Sequence, residues 1–92
     1  MLVISDLIWD GWNREHLTRH HISPEEVEEV CHSQHKVVES YRKRLVIKGK
    51  TKANRSLYIV LSPEDENLKP YGEGTYYPIT AFEEKSDHEK TK

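Results

Sequence analysis

Four short β-rich segments follow one another through the second half of this chain: Val37-Val38, Leu45-Val46-Ile47, Leu57 to Leu61 and Tyr76 to Ala81. They restrict the fold more than any other feature. Charged turns at 42–43 and 48–55 and a Pro/Gly-rich loop at 62–74 separate them, which fits an antiparallel meander. Alternation along the strands places Leu45, Ile47, Leu57, Ile59 and Leu61 on one face. Arg44, Lys48, Tyr58, Tyr76 and Thr80 are left as candidates for the other. The first face needs a cover, and the first third of the chain supplies it.

Ser23 is placed to N-cap a helix, Pro24 suits its first position, and Glu26 completes a Ser-x-x-Glu capping box with acids in the first turn. Val27, Val30 and Cys31 then fall at i, i+3 and i+4 and draw one narrow apolar stripe. Upstream, Leu2 to Trp9 is apolar and β-compatible, Gly11 breaks it, and Trp12 to His20 has helical spacing. The expected fold is α+β: an N-terminal strand, two helices, then the meander. We expect one domain over 1–82 and a charged tail, disordered or briefly helical, over 83–92.

The net charge of −2 conceals a strong asymmetry. Between Lys36 and Arg55 lie eight basic side chains (Lys36, Arg42, Lys43, Arg44, Lys48, Lys50, Lys52 and Arg55) against one acid, Glu39. Residues 1–35 carry seven acids against two arginines, and residues 62–92 carry eight acids against four lysines. The middle of the chain suits a polyanion that the ends repel. At 92 residues, 35% hydrophobic and 33% charged, the chain is polar for a globular protein, so part of it is expected to be disordered or covered by a partner. Cys31 is the single cysteine, which precludes an internal disulfide and suits a reducing cytosol. Neither a signal peptide nor a membrane span is expected, because the early apolar run is only Leu2-Val3-Ile4 and no basic region precedes it.

A sheet face carrying both cations and rings is what a binder of flexible single-stranded RNA needs, since cations replace phosphate counterions and unstacked bases lie on rings. The same residues are also ordinary residents of a solvated sheet face. Arg55 is the candidate phosphate clamp with Arg44 assisting, because both flank basic strands and a guanidinium holds phosphate through paired hydrogen bonds. Lys43, Lys48, Lys50 and Lys52, with Tyr58, Tyr76 and Thr80, are candidates for positioning RNA. Trp9 and Trp12 read as core or interface anchors, and Cys31 as a small buried hydrophobe. His16, His20, His21, His32 and His35 with Cys31 form no fixed four-ligand pattern, so no metal is expected. No P-loop, Rossmann or nucleophile-elbow motif is present, and no cofactor is expected.

Trp9-Asp10, Asn13, Arg19-His20-His21-Ile22-Ser23-Pro24-Glu25-Glu26-Val27, Gly49-Lys50-Thr51, Arg55-Ser56-Leu57-Tyr58-Ile59-Val60 and Ile79-Thr80-Ala81, in that order, resemble the BrnT toxin family across roughly residues 8 to 82. The resemblance implies a compact RelE-like α+β fold, metal-independent cleavage of mRNA as the toxin of a type II toxin–antitoxin module, and neutralisation by an antitoxin that itself binds operator DNA. It also marks His20, which stands at the family's recurring histidine, as the proton-transfer candidate; the alternative for His20 is a helix C-terminal residue capping carbonyls. His21 and Asn54 stand where the family usually has glycine, a departure that fits if the turns need positive φ, which His and Asn tolerate better than most residues. The family usually follows Ile-Thr-Ala with Arg and a basic helix, whereas this chain continues Phe82-Glu83-Glu84. That departure keeps two further readings open: a catalytically silent interaction module of the same fold, and an RNA-binding domain that does not cleave. The acidic 62–74 loop is a candidate for folding against the basic sheet.

Overall fold

The computed structural model describes residues 2–41 and 43–84. Seven elements run in the order β1 (Asp6–Leu7), α1 (Gly11–Arg19), α2 (Pro24–Cys31), β2 (His35–Tyr41), β3 (Arg44–Lys50), β4 (Ser56–Ser62) and β5 (Thr75–Glu83). The strands form one sheet, ordered β1-β5-β4-β3-β2, in which β2 to β5 are the expected antiparallel meander and β1 joins β5 in parallel. This is the α+β fold that the sequence implied. The tail at 85–92 lies outside the described residues, but β5 runs through Glu83 and the Glu84 N–H donates to Ser56 O at 2.8 Å, so the sheet extends past the expected boundary at 82.

Both helices bury their stripes against one sheet face. Leu17, Ile22, Val27, Val30 and Cys31 share a core with Ile47, Leu57, Ile59, Leu61 and Ala81. The N-terminal strand is much shorter than the expected 2–9. Its partner β5 begins at Thr75, opposite Asp6, so residues 2–5 have no ladder to join, and Asp10 already caps α1.

Each helix opens with a complete capping box. Asp10 accepts from the Asn13 N–H while the Asn13 side chain accepts from the Asp10 N–H; Ser23 and Glu26 repeat the exchange. Asn13 is fully buried, and its Nδ2 also donates to Ile8 O at 3.0 Å and Pro78 O at 3.1 Å, tying α1 to the residue that follows β1 and to β5. The Asn13 N–H, opposed by desolvation and helped by the Tyr77 hydroxyl, holds the Asp10 carboxyl below its ordinary value. Desolvation pushes Glu26 upward, but the Ser23 N–H and Arg55 outweigh it and leave that pKa lowered too. Both folded pKa values therefore lie below the unfolded ones, so this stability is present above the unfolded pKa and is lost as pH falls through the folded values. The acid limb of the stability curve should begin below about pH 4.5, the ordinary value for Glu26, and should be shallower in Glu26→Gln when urea midpoints are compared across pH.

His21 and Asn54 adopt φ of 61° and 69°, the region in which His and Asn replace glycine more readily than most residues do. A β-carbon is strained in that region. His21→Gly is expected to raise stability by about 1 kcal/mol, read from the thermal midpoint.

Alternation fails at one expected place. A bulge in β5 lets Val60 face Thr80 and Leu61 face Pro78, so Ile79 is an extra residue and the parity of everything before it reverses. Tyr76 therefore packs against the core instead of sharing the open face with Thr80. The signal was Pro78, since proline inside a strand marks a bulge or an edge.

Candidate nucleic-acid interface

The Gly49-to-Arg55 segment is a device for aiming Arg55. Gly49 is needed because a β-carbon there would stand 2.8 Å from Val30 Cγ1, so β3 passes close under α2 only without one. Thr51 is buried and closes the turn: its N–H donates to Arg55 O at 2.9 Å, its Oγ1 accepts from the Arg55 N–H at 3.2 Å, and its carbonyl accepts from the Asn54 N–H. The turn leaves Arg55 on the helix side of the sheet. There Nη1 donates to Glu26 at 2.6 Å, and Nη2 to Glu83 at 3.1 Å and to His21 O at 3.2 Å. The guanidinium thus joins α2, the α1–α2 turn and the end of β5.

Lys48 and Tyr58 face each other across β3 and β4 on the open face, with Phe82 next in the row. The Lys48 ammonium lies 5.3 Å from the Tyr58 ring centroid, and the Tyr58 and Phe82 rings stack at 5.2 Å. Val46, Val60 and Thr80 form the adjacent row. Cation and rings therefore meet as the alternation implied. Lys48 is also paired with Glu84 at 2.9 Å, and the Tyr58 hydroxyl donates to the same carboxylate at 3.4 Å. The hydrogen bond from Lys48 to Glu84 outweighs a small desolvation and raises the ammonium pKa.

The remaining candidates separate into two ends of the sheet. Arg55 precedes Ser56, whose partner is Lys50, whereas Arg44 opens β3 six residues away. At roughly 3.4 Å per residue that places Arg44 about 20 Å from the Arg55 end, so the two cannot clamp one phosphate. Lys43 is at the Arg44 end, 3.5 Å from Glu64. It is one contact between the acidic 62–74 loop and the basic segment. Lys50 and Lys52 are exposed at the Arg55 end, where the Lys52 N–H donates to Glu29. His20 is the exposed C-cap of α1, one residue before the carbonyl that Arg55 holds, and its ring lies 5.3 Å from that of His16, which stacks on Trp12.

The acids that pair these cations were missed as site residues. In the sequence Glu26 shows only as half of a capping box, and Glu83 and Glu84 only as tail. Their signal is positional, since two and three residues past Ala81 they still continue the β5 ladder. Cys31 is buried, and desolvation, with Glu28 adding to it, pushes its thiol up to about 12. It is a core residue with no thiolate at neutral pH. His35 is buried too, its ring nitrogens 2.8 Å from Ser33 O and 3.1 Å from Leu2 O. Among the described residues no three His, Cys, Asp or Glu side chains converge as metal ligands, and no helix is long and apolar enough to cross a membrane.

Two helices capped onto one face of a five-stranded mixed sheet are the architecture of a solved ribonuclease toxin. That protein is BrnT of Brucella abortus, whose 1.1 Å crystal structure superimposes on this chain with a TM-score of 0.64 and 18% identity, covering 88% of this chain and 97% of that one. The similarity establishes a BrnT-like fold. No protein-family model matches the sequence, and no curated protein matches it.

Proposed function

We propose that this protein is a metal-independent endoribonuclease, the toxin of a type II toxin–antitoxin module, acting on mRNA in the cytoplasm. The reading rests on one observation: on the fold of a ribonuclease toxin, Arg55 is held against the His20-His21 turn, at the sheet end that also carries Lys48, Lys50 and Lys52. Cleavage of this kind has the 2′-oxygen lose its proton and attack the adjacent phosphorus while the bond to the 5′-oxygen breaks. The products are a 2′,3′-cyclic phosphate and a 5′-hydroxyl. Arg55 stabilises the charge on the phosphorane, and His20 accepts the 2′-hydroxyl proton and delivers a proton to the leaving 5′-oxygen, so the imidazole ends in its starting protonation state. Lys48 neutralises flanking phosphate, and Tyr58 with Phe82 offers stacking surface to an unpaired base. A cognate antitoxin covers this basic end, and operator DNA is engaged only through that antitoxin.

The pairing of Arg55 and Lys48 with carboxylates favours a second reading, a catalytically silent module that keeps the fold and the antitoxin-binding surface. Induced expression in a bacterium separates the two. The toxin reading expects growth arrest and discrete new 5′ ends on cellular mRNA by primer extension, both lost in His20→Ala. Normal growth with abundant soluble wild-type protein would favour the silent module.

A further inference from the structure

The end of β5 presents two successive carboxylates, and strand alternation sends them to opposite sides of the sheet. Glu83, opposite Leu57, reaches Arg55 on the helix side at 3.1 Å; Glu84 reaches Lys48 on the open side at 2.9 Å and accepts from Tyr58. Neither backbone position is loose, because Glu83 is in register with Leu57 and the Glu84 N–H donates to Ser56 O. With Glu26, two cations, one on each side of this end of the sheet, are set against three carboxylates. A carboxylate offers a guanidinium or ammonium the same charge and the same acceptor oxygens as a phosphate does.

We propose that Glu83 and Glu84 form a built-in carboxylate cap that competes with RNA phosphates for Arg55 and Lys48 and so sets a low affinity for single-stranded RNA. The inference rests on the RNA-binding reading above and adds its control. Glu26 is not part of the cap, because its other oxygen serves the Ser23 box and it holds Arg55 in place. Each cap contact is partly exposed, so it is weak enough for several phosphates acting together to displace, at a few-fold cost in affinity per contact.

The test is fluorescence anisotropy with a labelled single-stranded RNA of mixed sequence, at several salt concentrations. It compares wild type, Glu84→Gln, the double variant Glu83→Gln/Glu84→Gln, and Lys48→Ala/Arg55→Ala. The glutamines keep shape and remove charge, and Glu84→Gln leaves the Arg55 contacts intact should the double variant fold poorly. The cap predicts affinity a few-fold higher in Glu84→Gln and about tenfold higher in the double variant. It also predicts a log–log salt slope steeper by about 1.4 in the double variant, for two phosphates newly neutralised. Binding that falls in Lys48→Ala/Arg55→Ala but is unchanged in both glutamine variants overturns the cap and leaves the RNA reading standing. Binding by no variant, or binding indifferent to Lys48 and Arg55, overturns the RNA reading and the cap with it.

Discussion

Arg55→Ala is expected to lower RNA cleavage by about 10²–10³-fold, the usual loss when one preorganised charge donor to a transition state is removed. The substitution has a structural cost as well, because Arg55 joins Glu26, Glu83 and the His21 carbonyl. Those contacts are partly solvated, so their loss should cost only about 1 kcal/mol, well short of unfolding the domain. Arg55→Lys separates the two roles. A single ammonium keeps the charge but not the fork that serves carboxylate and carbonyl together, so it should recover most of the thermal stability and little of the rate. Single-turnover cleavage measured beside thermal midpoints checks both parts.

Asn13→Ala is expected to be the most destabilising polar substitution, by about 2–4 kcal/mol, or some 10–25 °C in thermal midpoint for a domain of this size. It strips partners from the Ile8 and Pro78 carbonyls and from the Asp10 N–H while leaving a void in a fully buried site. Asp10→Ala should cost less, since that carboxylate is exposed and its loss is a capping loss of about 1 kcal/mol. Urea denaturation of the two variants gives the ordering directly.

These two residues show what the sequence made legible. Asn13 was visible as a recurring motif position, but nothing local reveals that its amide spans from Ile8 to a strand 65 residues later. The Ser23-Glu26 box, the α2 stripe and the meander were readable because each obeys a local rule of capping or periodicity. The positive φ of His21 and Asn54 was legible only as the condition under which they could stand in for glycine. Tyr76 was misplaced because one extra residue at Pro78-Ile79 inverts a face, and Arg44 was misjoined to Arg55 because charge counting ignores the direction of an antiparallel hairpin. The pairing of Arg55 and Lys48 with Glu83 and Glu84 depends on where β5 stops. A reading that divides the chain by composition sets that boundary too early.

The most direct measurement is incubation of purified protein with a 5′-labelled single-stranded RNA in excess chelator, with wild type, Glu83→Gln/Glu84→Gln, His20→Ala and Arg55→Ala compared by gel and by product end analysis. Wild type is expected to give discrete fragments ending in 2′,3′-cyclic phosphate, the double glutamine variant more of them at limiting protein, and His20→Ala and Arg55→Ala none. Intact RNA from folded wild type and folded double variant alike, or cleavage indifferent to His20 and Arg55, would contradict the nuclease reading.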